Sequence, residues 1–169
     1  PLQALRARHG VFAIPGNHDN KNEVSRQTLR KLVERNGGRL LVNETVQLRV
    51  RDVPFTITGL EDFIEGESDL AEAVRSVGRE ENHLLLVHSP LQGEEAVKAL
   101  KRLNAGRAEK GQVALQYIFA GHTHGGQVRL PFYVPFLPLK AGGYVNGWYN
   151  KEAPFLYVSK GFGTSAVPF

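Results

Sequence analysis

The sequence contains no cysteine. Disulfides and thiolate metal ligands are thereby excluded, so any metal must be held by His, Asn, Asp or Glu. It also lacks an apolar run near the ~20 residues that span a bilayer, and the opening stretch PLQALRARHG has no long apolar segment of the signal-peptide kind. Internal repeats, low-complexity tracts and a linker that would divide the chain are missing too. Nor is one sign of charge concentrated anywhere: 21 Lys and Arg against 17 Asp and Glu leave a net +4, spread as single charges and pairs. A nucleic-acid-binding protein would gather those cations into a block or stripe, so no nucleic-acid partner is expected, whereas a mild positive excess is compatible with a phosphorylated one.

What is present is a chain of 169 residues, 41% hydrophobic and 22% charged, the balance of a globular protein with a packed core. A folded chain of this size buries roughly 70% of the surface it would expose unfolded, so one domain over residues 1–169 is expected. The first residues read as the tail of a helix, with Leu2 and Leu5 near helical spacing and Gly10 as the stop. Residues 11–14 are a short run of β-formers closed by Pro15 and Gly16, as in a buried strand that runs into a tight turn. A helix is expected over residues 21–35, with Val24, Leu29, Leu32 and Val33 on its inner face and Asn36-Gly37-Gly38 ending it. Residues 40–42, 46–50 and 55–60 then suit two or three antiparallel strands, since polar positions alternate with apolar ones.

Ser68 is expected to cap a short helix presenting Leu70, Ala73, Val74 and Val77. Residues 83–87 make an apolar strand ending at His88-Ser89-Pro90, and a helix over residues 94–103 turns Ala96, Val97, Leu100 and Leu103 inward. A third buried strand over residues 115–120 ends at Gly121-His122-Thr123-His124-Gly125-Gly126. Residues 131–154 are rich in Pro, Gly and aromatics without periodicity, longer than most connections, which points to a functional loop. A last strand over residues 155–159 leads into Gly161-Phe162-Gly163, whose glycines suit a tight turn. The fold class is α/β.

In open α/β sheets, ligands bind outside the carboxyl ends of the strands. The loops expected there carry Asn17, His18, Asp19, His88, His122 and His124. Neutral imidazole is a ready ligand for Zn, Mn, Fe, Co or Ni, and several such groups from separate loops are needed to fix a coordination geometry. One residue separates His122 from His124, which in an extended backbone points both rings to the same side. Each motif alone is weak, because Asn and Asp after a glycine are ordinary turn formers. His9, expected to be exposed, and His83, expected to begin a strand, lack this context. Phe132, Tyr133, Phe136, Tyr144 and Trp148 suit either a wall for a greasy substrate or membrane surface, or a loop that packs its own rings. Arg129 and Lys160 read as surface cations first and phosphate contacts second.

The three motifs together change the weight of each. Gly16-Asn17-His18-Asp19, then Val87-His88-Ser89-Pro90, then Gly121-His122-Thr123-His124, each after an apolar strand, closely resemble the calcineurin-like metallophosphoesterases. The stretches GHTHGGQVRLP and YVSKGFGTSAVPF are similar to a bacterial phosphodiesterase-type branch of that superfamily. The resemblance implies a four-layer α/β/β/α sandwich and two divalent metal ions, of the kinds Mn, Fe, Zn, Co or Ni. It implies that Asn17, His88 and His122 bind one metal and His124 the other, with His18 beside the leaving group and Asp19 orienting its ring. It further implies a phosphorylated small-molecule or lipid-linked substrate, with membrane-surface or cell-envelope association by analogy. The family's earlier Asp-x-His and Gly-Asp motifs do not precede Asn17. The chain is therefore expected to be the C-terminal part of the domain, its N-terminal part missing, holding at most one metal well and nearly inactive alone. The alternative is a non-catalytic metal-binding or scaffold domain of the same fold.

Overall fold

The computed structural model describes residues 6–20, 23–126, 137, 138 and 140–161, with side chains described from residue 26 onward in the first helix. In chain order the elements are β1 (Val11–Ala13), α1 (Glu23–Arg35), β2 (Gly38–Leu40), β3 (Glu44–Val50), β4 (Val53–Gly59), α2 (Leu70–Ala73), β5 (His83–Val87), α3 (Pro90–Ala105), β6 (Tyr117–Ala120), β7 (Gly147–Tyr149) and β8 (Phe155–Val158). Six strands form one sheet in the order β3-β4-β5-β6-β8-β7. Its centre is parallel, β4 to β5 to β6 to β8, and antiparallel β3 and β7 close its two edges. A separate parallel pair, β1 and β2, completes the mixed α/β architecture.

Alternation along the central strands decides which face is covered. Leu85 and Val87 of β5, Ile118 and Ala120 of β6, and Leu156 and Val158 of β8 point one way, into the main core with Leu70, Val74, Ala96 and Leu100 of the helical layer. The other face of β6 and β8 presents rings. Tyr117 lies tilted against Phe155 with centroids 5.8 Å apart, Phe119 meets Tyr157 edge to face at 5.8 Å, and Trp148 of β7 lies 5.0 Å from Tyr157. Tyr117, Phe119 and Trp148 remain exposed, Trp148 by 60%.

The strand-loop-helix rhythm and the β3–β4 hairpin match the sequence pattern, and several boundaries differ from it. Leu40 pairs in parallel with β1 instead of joining antiparallel neighbours. The short helix is capped by Asp69, whose side chain accepts from the Glu72 amide, and not by Ser68. α3 starts at Pro90, four residues early, because Ser89 supplies the cap and a proline at the first helical position loses no bond. Leu32 is 47% exposed, leaving Val33 as the fully buried residue on the described face of α1. The stretch without periodicity contains β7, a three-residue edge strand too short to show a period. Phe132, Tyr133, Phe136, Gln127, Arg129 and Gly163 lie outside the described residues. His9 is exposed and His83 opens β5, as expected. No helix among the described residues is long and apolar enough to cross a membrane.

Candidate functional site

Beyond Ala13 the chain reverses at Pro15-Gly16. The Gly16 amide donates to Asp19 Oδ2 at 2.9 Å, and the Asp19 and Asn20 amides both return to the Gly16 carbonyl. Asp19 thus closes the turn whose apex carries Asn17 and His18. Among the described residues it forms no hydrogen bond with His18, which is exposed.

β5 delivers His88 directly into the cap of α3. The His88 amide donates to Gln92 Oε1 at 3.1 Å, while Gln92 Nε2 donates to the Glu61 carbonyl at 2.6 Å and to Ser68 Oγ at 3.0 Å. This buried amide joins the end of β5, the start of α3 and the loop after β4. The next loop is tied on by the Gly121 amide, which donates to the His88 carbonyl at 2.9 Å. Here the backbone is not extended as the sequence suggests: His122 and His124 both lie in the left-handed region, with φ of 69° and 51°. For residues other than glycine that conformation persists where the surroundings over-determine it. The fully buried Thr123 between them donates its hydroxyl to the Val145 carbonyl at 2.6 Å.

Three donor atoms from three loops meet as a result. His88 Nε2 lies 2.9 Å from Asn17 Oδ1 and 3.0 Å from His122 Nδ1, and the two rings cross edge to face at 4.7 Å. Burial, then the neighbouring His122, holds the His88 pKa down to about 4, against the opposing charges of Asp62 and Asp19. The His124 pKa is shifted down by burial, then by the charges of His122 and His18. His88 is consequently neutral at pH 7, the form in which imidazole binds a metal.

Asp62 escaped the sequence reading. It is fully buried, and its Oδ2 accepts from the Ile64 and Glu65 amides at 3.0 and 2.8 Å. The signal was available, since Glu61 and Asp62 follow an apolar strand much as the histidines do. Gln92 and Thr123 gave no comparable signal as anchors, because their partners lie 31 and 22 residues away.

Comparison with known proteins decides the family. The chain is 31% identical to YkoQ, an uncharacterized metallophosphoesterase of Bacillus subtilis, over 98% of its own length and 57% of that protein's. It is 30% identical to YkuE, an uncharacterized metallophosphoesterase of the same organism, over 99% of its own length and 54% of YkuE's. The chain belongs to the metallophosphoesterase superfamily. An uncharacterized metallophosphoesterase of Helicobacter pylori matches this metallophosphoesterase chain at 27% identity over 99% of it. The chain spans about half the length of these curated relatives. No family model and no solved structure matches it.

The superfamily implies a divalent metal, and the residues can be tested against one. Bonds of about 2.0–2.1 Å from one cation place adjacent ligand atoms roughly 3.0–3.4 Å apart, close to the 2.9 and 3.0 Å found here. Two imidazoles and an amide oxygen therefore fit as part of a coordination shell. Among the described residues no group of three or more His, Asp or Glu is gathered to complete one.

Proposed function

We propose that this metallophosphoesterase chain carries one half of a phosphoester-hydrolysing site, with Asn17, His88 and His122 on one divalent cation and His124 on a second. The observation that carries the reading is the convergence of Asn17 Oδ1, His88 Nε2 and His122 Nδ1 from loops after three different strands. Divalent cations held by these residues would supply Lewis-acid activation of water and charge neutralisation at the phosphoryl oxygens. The chain's own residues hold and orient. Asn17 offers a neutral oxygen at the tip of a turn locked by Asp19. His88 is kept unprotonated by burial, and exposed His18 would deliver a proton to the leaving oxygen.

The missing carboxylate ligands are assigned to a preceding segment of a longer protein, with a second sheet completing a four-layer sandwich. The exposed aromatic face of β6, β7 and β8 supports this, since an apolar patch of that kind is covered in a finished fold. We assign phosphodiester or phosphomonoester substrates to the whole protein, small or lipid-linked, acting near a membrane surface. One relative, from Bos taurus, is named a transmembrane protein with metallophosphoesterase domain and is 27% identical over 99% of this chain.

The test is metal content by mass spectrometry together with hydrolysis of bis-p-nitrophenyl phosphate. Both are measured on this chain and on a protein extended to the length of YkoQ, with His88→Ala in each. The extended protein is expected to hold two cations and turn over, this chain to hold one and stay nearly inert, and His88→Ala to lose both properties. Inertness of the extended protein would favour the scaffold reading. The sole tryptophan, Trp148, reports separately on the second sheet: its emission should shift to the blue in the extended protein.

A further inference from the structure

The stretch between β6 and β7 does more than connect them. Thr123 Oγ1 donates to the Val145 carbonyl at 2.6 Å, and the Val145 amide in turn donates to the Tyr149 hydroxyl at 3.0 Å. Tyr149 meets Tyr144 edge to face at 4.8 Å, and the Tyr144 hydroxyl donates to Glu94 Oε1 at 2.6 Å. Glu94 stands on the opening turns of α3, the helix whose Gln92 receives the His88 amide. The path therefore runs from the His122-Thr123-His124 loop, through residues 144–149, back to the base of the His88 loop.

The geometry points to Thr123 as a positioning residue: through Val145, Tyr149, Tyr144 and Glu94 it fixes the two histidine loops relative to each other. Three observations carry this. First, His122 and His124 sit in the left-handed region while the residue between them is completely buried, so the turn is held at Thr123 and not by the histidines' own preference. Second, the outer link is durable, because burial and then Glu94 push the Tyr144 hydroxyl up to about 12, leaving it protonated and donating across the working pH range. Third, every polar partner on the path is internal. The Thr123 amide donates to the Gly121 carbonyl at 2.8 Å and its carbonyl accepts from Gly126 at 2.9 Å, so the Thr123 backbone is spent on the turn; beside the Gly121 amide on the His88 carbonyl, it is the Thr123 hydroxyl that ties the loop to residues 144–149. Supporting groups behind metal-binding residues typically change affinity by ~10–100-fold when removed. The inference rests on the metal reading above only for what the tether serves; the tether itself is a property of the metal-free chain.

Thr123→Val, Thr123→Ser and Tyr144→Phe test it, read by Zn2+ titration and by the imidazole resonances of the metal-free protein. Thr123→Val should shift the His88 and His122 ring signals and weaken Zn2+ binding ~10-fold or more. Thr123→Ser, which keeps the hydroxyl, should restore both, and Tyr144→Phe should give a smaller shift in the same direction. Unchanged ring signals in a folded Thr123→Val protein overturn the tether, as does a Thr123→Ser protein that behaves like Thr123→Val. If Thr123→Val does not fold, an unaltered Tyr144→Phe protein overturns it instead. A wild-type chain that takes up no Zn2+ counts against the metal reading, while the ring signals still decide the tether.

Discussion

Gly16 packs against the imidazole of His88 so closely that a β-carbon at position 16 would stand 2.8 Å from Cε1 and 2.9 Å from Nδ1. Real β-carbons do not approach that closely, so Gly16→Ala must push the ring off its place between Asn17 and His122. Divalent-metal affinity should fall about tenfold or more, with a stability loss near 1 kcal/mol. Isothermal titration with Mn2+, paired with a urea melt, separates the two effects. An unchanged affinity would mean that the ring has room to retreat.

A second glycine governs the join between the two sheets. A β-carbon on Gly59 would meet Leu41 Cβ at 2.5 Å and Ile14 Cγ2 at 2.8 Å, whereas one on Gly143 meets nothing within 4 Å. Gly59→Ala should cost about 1–3 kcal/mol by overpacking, and Gly143→Ala should lie within about 0.5 kcal/mol of wild type. Denaturant midpoints for the pair settle it.

Acid should weaken the fold through His83. This side chain is fully buried, its Nε2 is 2.7 Å from Thr58 Oγ1, and burial lowers its pKa from 6.5 to about 4. The unfolded chain therefore takes up the proton first. Stability is complete above pH 6.5 and drains away as pH falls toward 4, by about 3 kcal/mol at most. Chemical denaturation from pH 7.5 to 4 should show that slope, and His83→Gln should reduce it. His88, lowered in the same sense, adds to the wild-type slope and persists in the variant.

Asp62 acts on the site through its charge. It raises the His88 pKa against the larger effects of burial and His122. Asp62→Asn should therefore carry the His88 midpoint still lower, visible as a shifted ring titration. Asp62→Ala should also destabilise by roughly 1–3 kcal/mol, since it strips the acceptor from the Ile64 and Glu65 amides.

In the core, Leu85 is wholly inaccessible at the centre of β5. Leu85→Ala should cost about 2–5 kcal/mol in a thermal or urea melt, a yardstick for the polar variants above.

Much of this was legible because the chemistry follows local pattern. Apolar strands that stop abruptly at Gly16, His88 and Gly121 announce themselves in sequence, and so do the loops that follow them. What stayed hidden depends on distance along the chain. Gln92 looked like one more helix residue, since its partners Glu61 and Ser68 precede it by 31 and 24 positions. Leu32 carried the right helical spacing, yet the layer it should face is the short β1–β2 pair, which reaches Val33 and leaves Leu32 exposed. The left-handed turn at His122 and His124 contradicted the extended reading of His-x-His because Thr123, not either histidine, is the residue drawn inward.

Asn17 rides on the β1–β2 pair, which among the described residues shares no strand ladder with the six-stranded sheet and meets it through side-chain packing at Gly59. Such a pair can open as its own cooperative unit, at a lower free energy than the sheet that holds His88. Amide protons at Phe12 and Leu40 should then exchange with solvent ahead of those at Leu85 and Ile118. A cation bound by Asn17 and His88 together would couple the two opening reactions, so occupancy would be written into the exchange rates of a strand that never touches it.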